Sequence, residues 1–162
     1  TEIVEEERRR TGPDFLVGVR LSPELSSCGL TVQDSLETLR LCNDMPLDFV
    51  HVSCWDIAET AEIDGHALPY TTVFRTHLDD DIPLFTTGSV WNPEEAQNAM
   101  AQGGDFVGVG RAGIAHPDWP RYLGDSTEEP KRPPFSVSEL EQASLNPTFI
   151  NYMRRWNGFV EP

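Results

Sequence analysis

Two short segments carry residue types that could grip an anion. Phe85-Thr86-Thr87-Gly88-Ser89-Val90 and Val109-Gly110-Arg111-Ala112-Gly113-Ile114 each place glycine where a strand-like run gives way to a loop. Lacking a Cβ, the backbone there can bring its N–H groups close to a ligand. Arg111 adds a permanent cation whose planar fork of donors matches two oxygens of a phosphate. Taken singly, each loop reads equally well as a tight strand-to-helix turn, with Arg111 paired to a surface carboxylate. Taken together, about twenty residues apart, they read better as one phosphate site. Arg20 is the third position of interest. It closes the apolar run Phe15-Leu16-Val17-Gly18-Val19, and a guanidinium in such a place needs an anion or an acceptor. Asp48 and Asp105, on neighbouring strands, are the ordinary partners for it.

These residues need a frame. Glu2 to Arg10 suits a helix, stopped by Thr11-Gly12-Pro13. Four short strands follow, Phe15 to Leu21, Leu47 to Ser53, Ile82 to Thr87 and Asp105 to Gly110, each apolar enough to be read as buried on both faces. Helices separate them. Thr31, with Asp34 three residues on, predicts a capped helix to about Asn43. A short helix is expected from Tyr70 to Leu78. Asn92, with Pro93 first and Glu94-Glu95 in the opening turn, starts a helix that ends at Gly103-Gly104. The polar stretch between Ser53 and Pro69 reads as a long loop.

This alternation means a parallel α/β architecture. Four strands do not close a barrel, which takes eight. An open doubly wound sheet stays possible, although Arg20-Leu21-Ser22-Pro23 stands where its glycine fingerprint would follow the first strand. Beyond Pro117 the chain is proline-rich to Pro134, then predicts two short helices, Val137 to Ser144 and Pro147 to Trp156.

Composition narrows the partners. The 162 residues suit one domain of ordinary size, and 38% are hydrophobic. A net charge of −15, from 27 acidic and 12 basic residues, speaks against nucleic acid and against an anionic membrane surface. No apolar run nears the roughly 20 residues that span a bilayer, and Thr1-Glu2-Ile3-Val4-Glu5-Glu6 does not read as a signal peptide. Cys28, Cys42 and Cys54 fit neither a zinc nor a disulfide framework, which predicts a reduced, cytoplasmic setting. His51, His66, His77 and His116 show no metal-ligand spacing. His51, inside a strand, reads as structural, and no metal is expected.

Gly12-Pro13-Asp14-Phe15-Leu16-Val17-Gly18-Val19-Arg20-Leu21-Ser22-Pro23 resembles the fifth barrel strand of the Old Yellow Enzyme family. Asp48 to Ser53 resembles the sixth, and Ile82 to Ala96 the seventh with its helix. Gly104 to Arg111, with Ile114-Ala115-His116-Pro117-Asp118-Trp119-Pro120, resembles the eighth and its phosphate loop. The resemblance runs from about Gly12 to Pro120. It implies the C-terminal half, strands five to eight, of an FMN-binding (β/α)8 TIM barrel over residues 1–124, with a C-terminal extension of short helices over residues 125–162.

The resemblance also implies an FMN-dependent oxidoreductase, reduced by NADH or NADPH, that passes hydride to an activated alkene such as an enone. Arg20 would contact the flavin ring near N1 and O2. Gly88, Ser89, Gly110 and Arg111 would hold the FMN phosphate. The family's substrate-binding His/His or His/Asn pair and its proton-donating tyrosine fall upstream of Thr1, so no catalytic residue is expected in this half. The missing N-terminal barrel half, or a homo-oligomer, is the expected partner. No cysteine follows Cys54, so the iron–sulfur cluster of the larger relatives is not expected, and a single-cofactor ene-reductase type fits better. Two alternatives stand beside this one. The first is a non-catalytic half-barrel serving binding or assembly. The second is a relative of dihydroorotate dehydrogenase or dihydrouridine synthase, which typically carry lysine at the position of Arg20.

Overall fold

The structure, a computed structural model, describes residues 2–124 and 128–162. Helix α1 (Glu2–Thr11) leads into strand β1 (Gly18–Leu21), helix α2 (Val32–Asn43) and strand β2 (Phe49–Ser53). Strands β3 (Thr60–Ile63) and β4 (His66–Pro69) come next, then α3 (Tyr70–Arg75), β5 (Leu84–Thr87), α4 (Pro93–Ala101) and β6 (Phe106–Gly108). Three short helices finish the chain: α5 (Arg111–Ala115), α6 (Val137–Gln142) and α7 (Pro147–Met153).

The helix starts follow from their capping residues. Thr31 Oγ1 accepts the Asp34 amide, and the Asp34 carboxylate accepts the Thr31 amide at 2.9 Å. Asn92 and Glu95 repeat this reciprocal pair at α4, with Pro93 in the first turn. Each box satisfies amides that the helix ladder leaves over, and removing such a cap costs on the order of 1 kcal/mol.

The four long-range strands lie side by side in chain order, β1-β2-β5-β6, all parallel. A doubly wound sheet would reverse its winding partway. This one does not, and its order is that of an arc of a (β/α) barrel. One face carries the helices. Val50, Val52 and Leu84 are fully buried there against Leu36, Leu39, Val73 and Phe74.

The other face corrects the expectation of strands buried on both sides. It carries Arg20, His51, Phe85 and Phe106 in one register row, and Phe106 is 51% exposed. Phe49, Phe85 and Phe106 form an aromatic ladder with ring centroids 4.9 and 4.5 Å apart. A Cβ on Gly18 would sit 2.3 Å from the Phe49 ring, so glycine there gives Phe49 room to lie over β1. Strand alternation sends every second side chain this way, and in a closed barrel this face is the interior.

One segment differs from the sequence expectation. The stretch before Pro69 is an antiparallel hairpin, β3 with β4, turned by Asp64 and Gly65 at φ 51° and 79°. Asp-Gly supplies the positive φ that a tight hairpin turn needs. The tail shares a core with α4 and the strand-end loops. Phe135, Leu140, Ile150, Met153 and Phe159 are buried in the same cluster as Ile57, Val90, Trp91 and Ala99.

Candidate functional site

The C-terminal ends of β1, β2, β5 and β6 carry the residues singled out above. Gly88 and Ser89 follow β5, and Gly110 precedes α5, whose first residue is Arg111. All four line one cavity of about 200 Å³, together with Arg20 and Trp55. The structure therefore brings the five expected residues Arg20, Gly88, Ser89, Gly110 and Arg111 to one place.

Each is held there for a local reason. Gly88 is buried, and a Cβ on it would lie 2.9 Å from Cys54 Cβ and 3.0 Å from the Ile57 amide nitrogen. Its carbonyl accepts the Ile57 N–H at 3.1 Å, which ties the β5 turn to the loop after β2. Ser89 sits at φ 53°, a left-handed conformation that costs a non-glycine residue on the order of 1 kcal/mol. In that pose its Oγ accepts Arg111 Nη2 at 3.0 Å, directly joining the two turns. The Arg111 guanidinium also lies 5.3 Å from the Trp55 ring centroid, a cation–π arrangement that fixes its plane. Gly110 has open space where a Cβ would be.

Arg20 donates through Nη2 to Ser53 Oγ at 2.8 Å. The carboxylates that could have neutralised it are engaged elsewhere. Asp48 pairs with Arg8 at 2.6 Å, and Asp105 pairs with Arg75 at 3.3 Å. Among the described residues neither Arg20 nor Arg111 takes part in an ion pair. Two guanidiniums thus stand on one cavity of a chain with net charge −15, and an anion is their natural complement.

His51 neighbours Arg20 across β1 and β2, and its Nε2 is buried without a hydrogen-bond partner. Burial, and then the Arg20 charge, lower its pKa, so it sits neutral beside the guanidinium. Cys54 is buried on the same wall, and its thiol is pushed up to about 12 mainly by burial. It is therefore no nucleophile near neutral pH. Among the described residues no group of His, Cys, Asp and Glu could hold a metal ion, and no helix is long and apolar enough to cross a membrane.

Sequence reasoning missed Ser53, Trp55 and Trp156. Trp55 lies over Arg111, and Trp156 from the tail packs 6.0 Å from Trp55. No periodicity marks them. For Trp55 the available signal was a large aromatic residue two positions past the end of β2.

The model of the NADH:flavin oxidoreductase / NADH oxidase family matches residues 1–129, and the chain belongs to that family. It is 30% identical over 119 residues to a probable NADH-dependent flavin oxidoreductase of Bacillus subtilis, covering 71% of this chain and 32% of that protein. It is 22% identical over 161 residues to cinnamate reductase of Clostridium sporogenes, covering 85% and 24%. Among solved structures, morphinone reductase superposes with a TM-score of 0.58 at 22% identity, over 86% of this chain and 36% of that one. The chain thus spans about a third of the length of the first of these relatives, and the superposition is that of a partial barrel.

Proposed function

We propose that this chain is the cofactor-holding half of an FMN-dependent oxidoreductase that reduces activated alkenes with NADH or NADPH. One observation carries the proposal: Arg111 bridges to Ser89, so two glycine turns and a guanidinium with no carboxylate partner among the described residues face a single cavity. The residues fit FMN. Gly88, Ser89, Gly110 and Arg111 would hold its phosphate, and Arg20 would meet the electron-rich edge of the ring. When bound, FMN would supply the hydride chemistry between nicotinamide and alkene. The chain's own residues orient and polarise. Ser53 and Trp55 hold Arg20 and Arg111 in place, and the buried wall of Cys54 and Trp91 keeps water from the turns. The alkene also needs one proton, which solvent or a residue of the complementary barrel half supplies. The family's NADH usage and the name cinnamate reductase, for a protein acting on a conjugated alkene, support the reaction class.

The partner follows from the open aromatic face and the two free sheet edges at β1 and β6. The complementary N-terminal barrel half covers them, in the cytoplasm, with neither nucleic acid nor membrane engaged. A non-catalytic assembly module would show the same open face but would have no use for two anion-seeking arginines on one cavity. The test is reconstitution. The chain, FMN and an N-terminal barrel half are mixed, and NADPH- or NADH-driven reduction of 2-cyclohexenone is followed. Flavin retention with turnover is expected; a flavin-free pair without turnover would overturn the proposal.

A further inference from the structure

The tail fills the core behind the strand-end turns, and it also places one side chain on the turn cavity itself. Trp156 lies beyond residue 129, where the family match ends, yet it lines the same cavity as Ser89, Gly110 and Arg111. The chain around it is pinned on both sides. The Trp156 amide donates to the Met153 carbonyl at 3.0 Å, which carries α7 into a turn, and the Phe159 amide donates to the Trp156 carbonyl at 2.9 Å. Gly158, at φ 77°, supplies the left-handed step of that turn. The Phe159 carbonyl accepts the Phe135 amide at 2.9 Å, and Met153, Phe135 and Phe159 are all fully buried. A buried frame therefore carries Trp156, whose own side chain stays half-buried.

Three side chains stand in a row along the cavity. The Trp156 ring centroid lies 6.0 Å from that of Trp55, with 38° between the planes, and Trp55 lies 5.3 Å from the Arg111 guanidinium carbon. Trp55 needs this support. It is 63% exposed on the loop after β2, and among the described residues its one ring-to-ring contact is with Trp156. Arg111 in turn has two restraints, the Ser89 hydroxyl and the Trp55 face. A guanidinium gains from its planar fork when the donors are already aimed, because its many rotamers are costly to order at the moment of binding.

We infer that Trp156 is a positioning residue of the anion site, supplied by the tail: through Trp55 it holds the Arg111 guanidinium in the plane that meets a phosphate. The inference rests on the proposed FMN reading only for the identity of the molecule that carries this phosphate.

The test uses the full chain labelled with 15N. The Arg111 Nε–H signal, assigned with Arg111→Met, reports side-chain order through its heteronuclear NOE and reports occupancy through its shift. Without ligand, Trp156→Leu should lower that NOE, and Trp156→Phe, which keeps a ring against Trp55, should largely restore it. Inorganic phosphate should shift the signal in the parent. Its affinity should fall about two- to fivefold in Trp156→Leu, the worth of one partly exposed cation–π contact. Ile150→Val thins the same tail core without touching the row. It should lower the urea midpoint and leave both readouts at parent values, which separates positioning from a loss of fold. An Arg111 signal that phosphate does not move would overturn the inference. So would a Trp156→Leu chain with parent order and affinity, or an Ile150→Val chain loosened as much as Trp156→Leu. Titrating the parent with FMN and riboflavin separates the two claims. Phosphate binding that depends on Trp156, with equal affinity for both flavins, supports the tail's role and strikes the FMN reading. A preference for FMN, with phosphate binding unchanged in Trp156→Leu, does the reverse.

Discussion

Gly88 and Gly110 occupy matching places after β5 and β6, yet their surroundings differ, and so should the effect of adding one methyl. At Gly88 an alanine Cβ would lie 2.9 Å from Cys54 Cβ, 3.0 Å from the Cys54 carbonyl oxygen and 3.0 Å from the Ile57 nitrogen. Ordinary carbon contacts are about 3.5–4.0 Å, and two of these three neighbours are backbone that cannot rotate away. The β5 turn must therefore shift, straining the Ile57 N–H bond to the Gly88 carbonyl. Overpacking of this kind costs about 1–3 kcal/mol, which for a chain of this size lowers Tm by roughly 2–10 °C. At Gly110 nothing lies within 4 Å of the added Cβ and φ is −91°. Gly110→Ala should leave stability within about 0.5 kcal/mol and weaken FMN binding instead, because the methyl enters the cavity. Urea unfolding and FMN titration of both variants make the comparison. A Gly88→Ala protein as stable as the parent, or a Gly110→Ala protein equally destabilised, would refute the packing described for these turns.

Two further predictions follow from burial. Of the three cysteines only Cys28 is exposed, while burial raises the pKa of Cys42 and pushes Cys54 up to about 12, so a thiol reagent at pH 8 should label one site per folded chain and three after denaturation. A second fast-reacting thiol would contradict this. His51 is held below its ordinary value by burial and then by Arg20. The unfolded chain therefore takes up a proton near pH 6.5 that the folded chain refuses until lower pH, and stability should fall as pH drops through that window. His51→Asn should flatten this segment of the stability–pH curve; an unchanged slope would remove His51 as its cause.

Much of the frame is legible in the sequence because it is local. Thr31 with Asp34 and Asn92-Pro93 with Glu95 specify helix starts within four residues, and glycine at the strand ends marks the turns. The hairpin was legible too, in Asp64-Gly65, but its strands are only four residues long, too short for their alternation to stand out from a loop. One-sided burial was not legible. Phe49, Phe85 and Phe106 read as core, and their exposure depends on which strands lie opposite, not on their own spacing. The partners of Asp48 and Asp105 were hidden for the same reason, since Arg8 and Arg75 reach them from 40 and 30 residues away. The five candidate residues were picked out from chemistry at strand ends, and the fold brings them onto one cavity; the flanking Trp55 and Trp156 meet only after folding.

The central claim is that the Ser89 and Arg111 turns together hold a phosphate. Titrating the chain with FMN and with riboflavin, which lacks only that phosphate, tests it most directly. FMN should bind about a hundredfold more tightly, as expected for two charge-assisted hydrogen bonds. Arg111→Met should remove roughly tenfold or more of that advantage while leaving riboflavin unaffected. Equal binding of the two flavins, or an Arg111→Met variant that weakens both alike, would contradict the account.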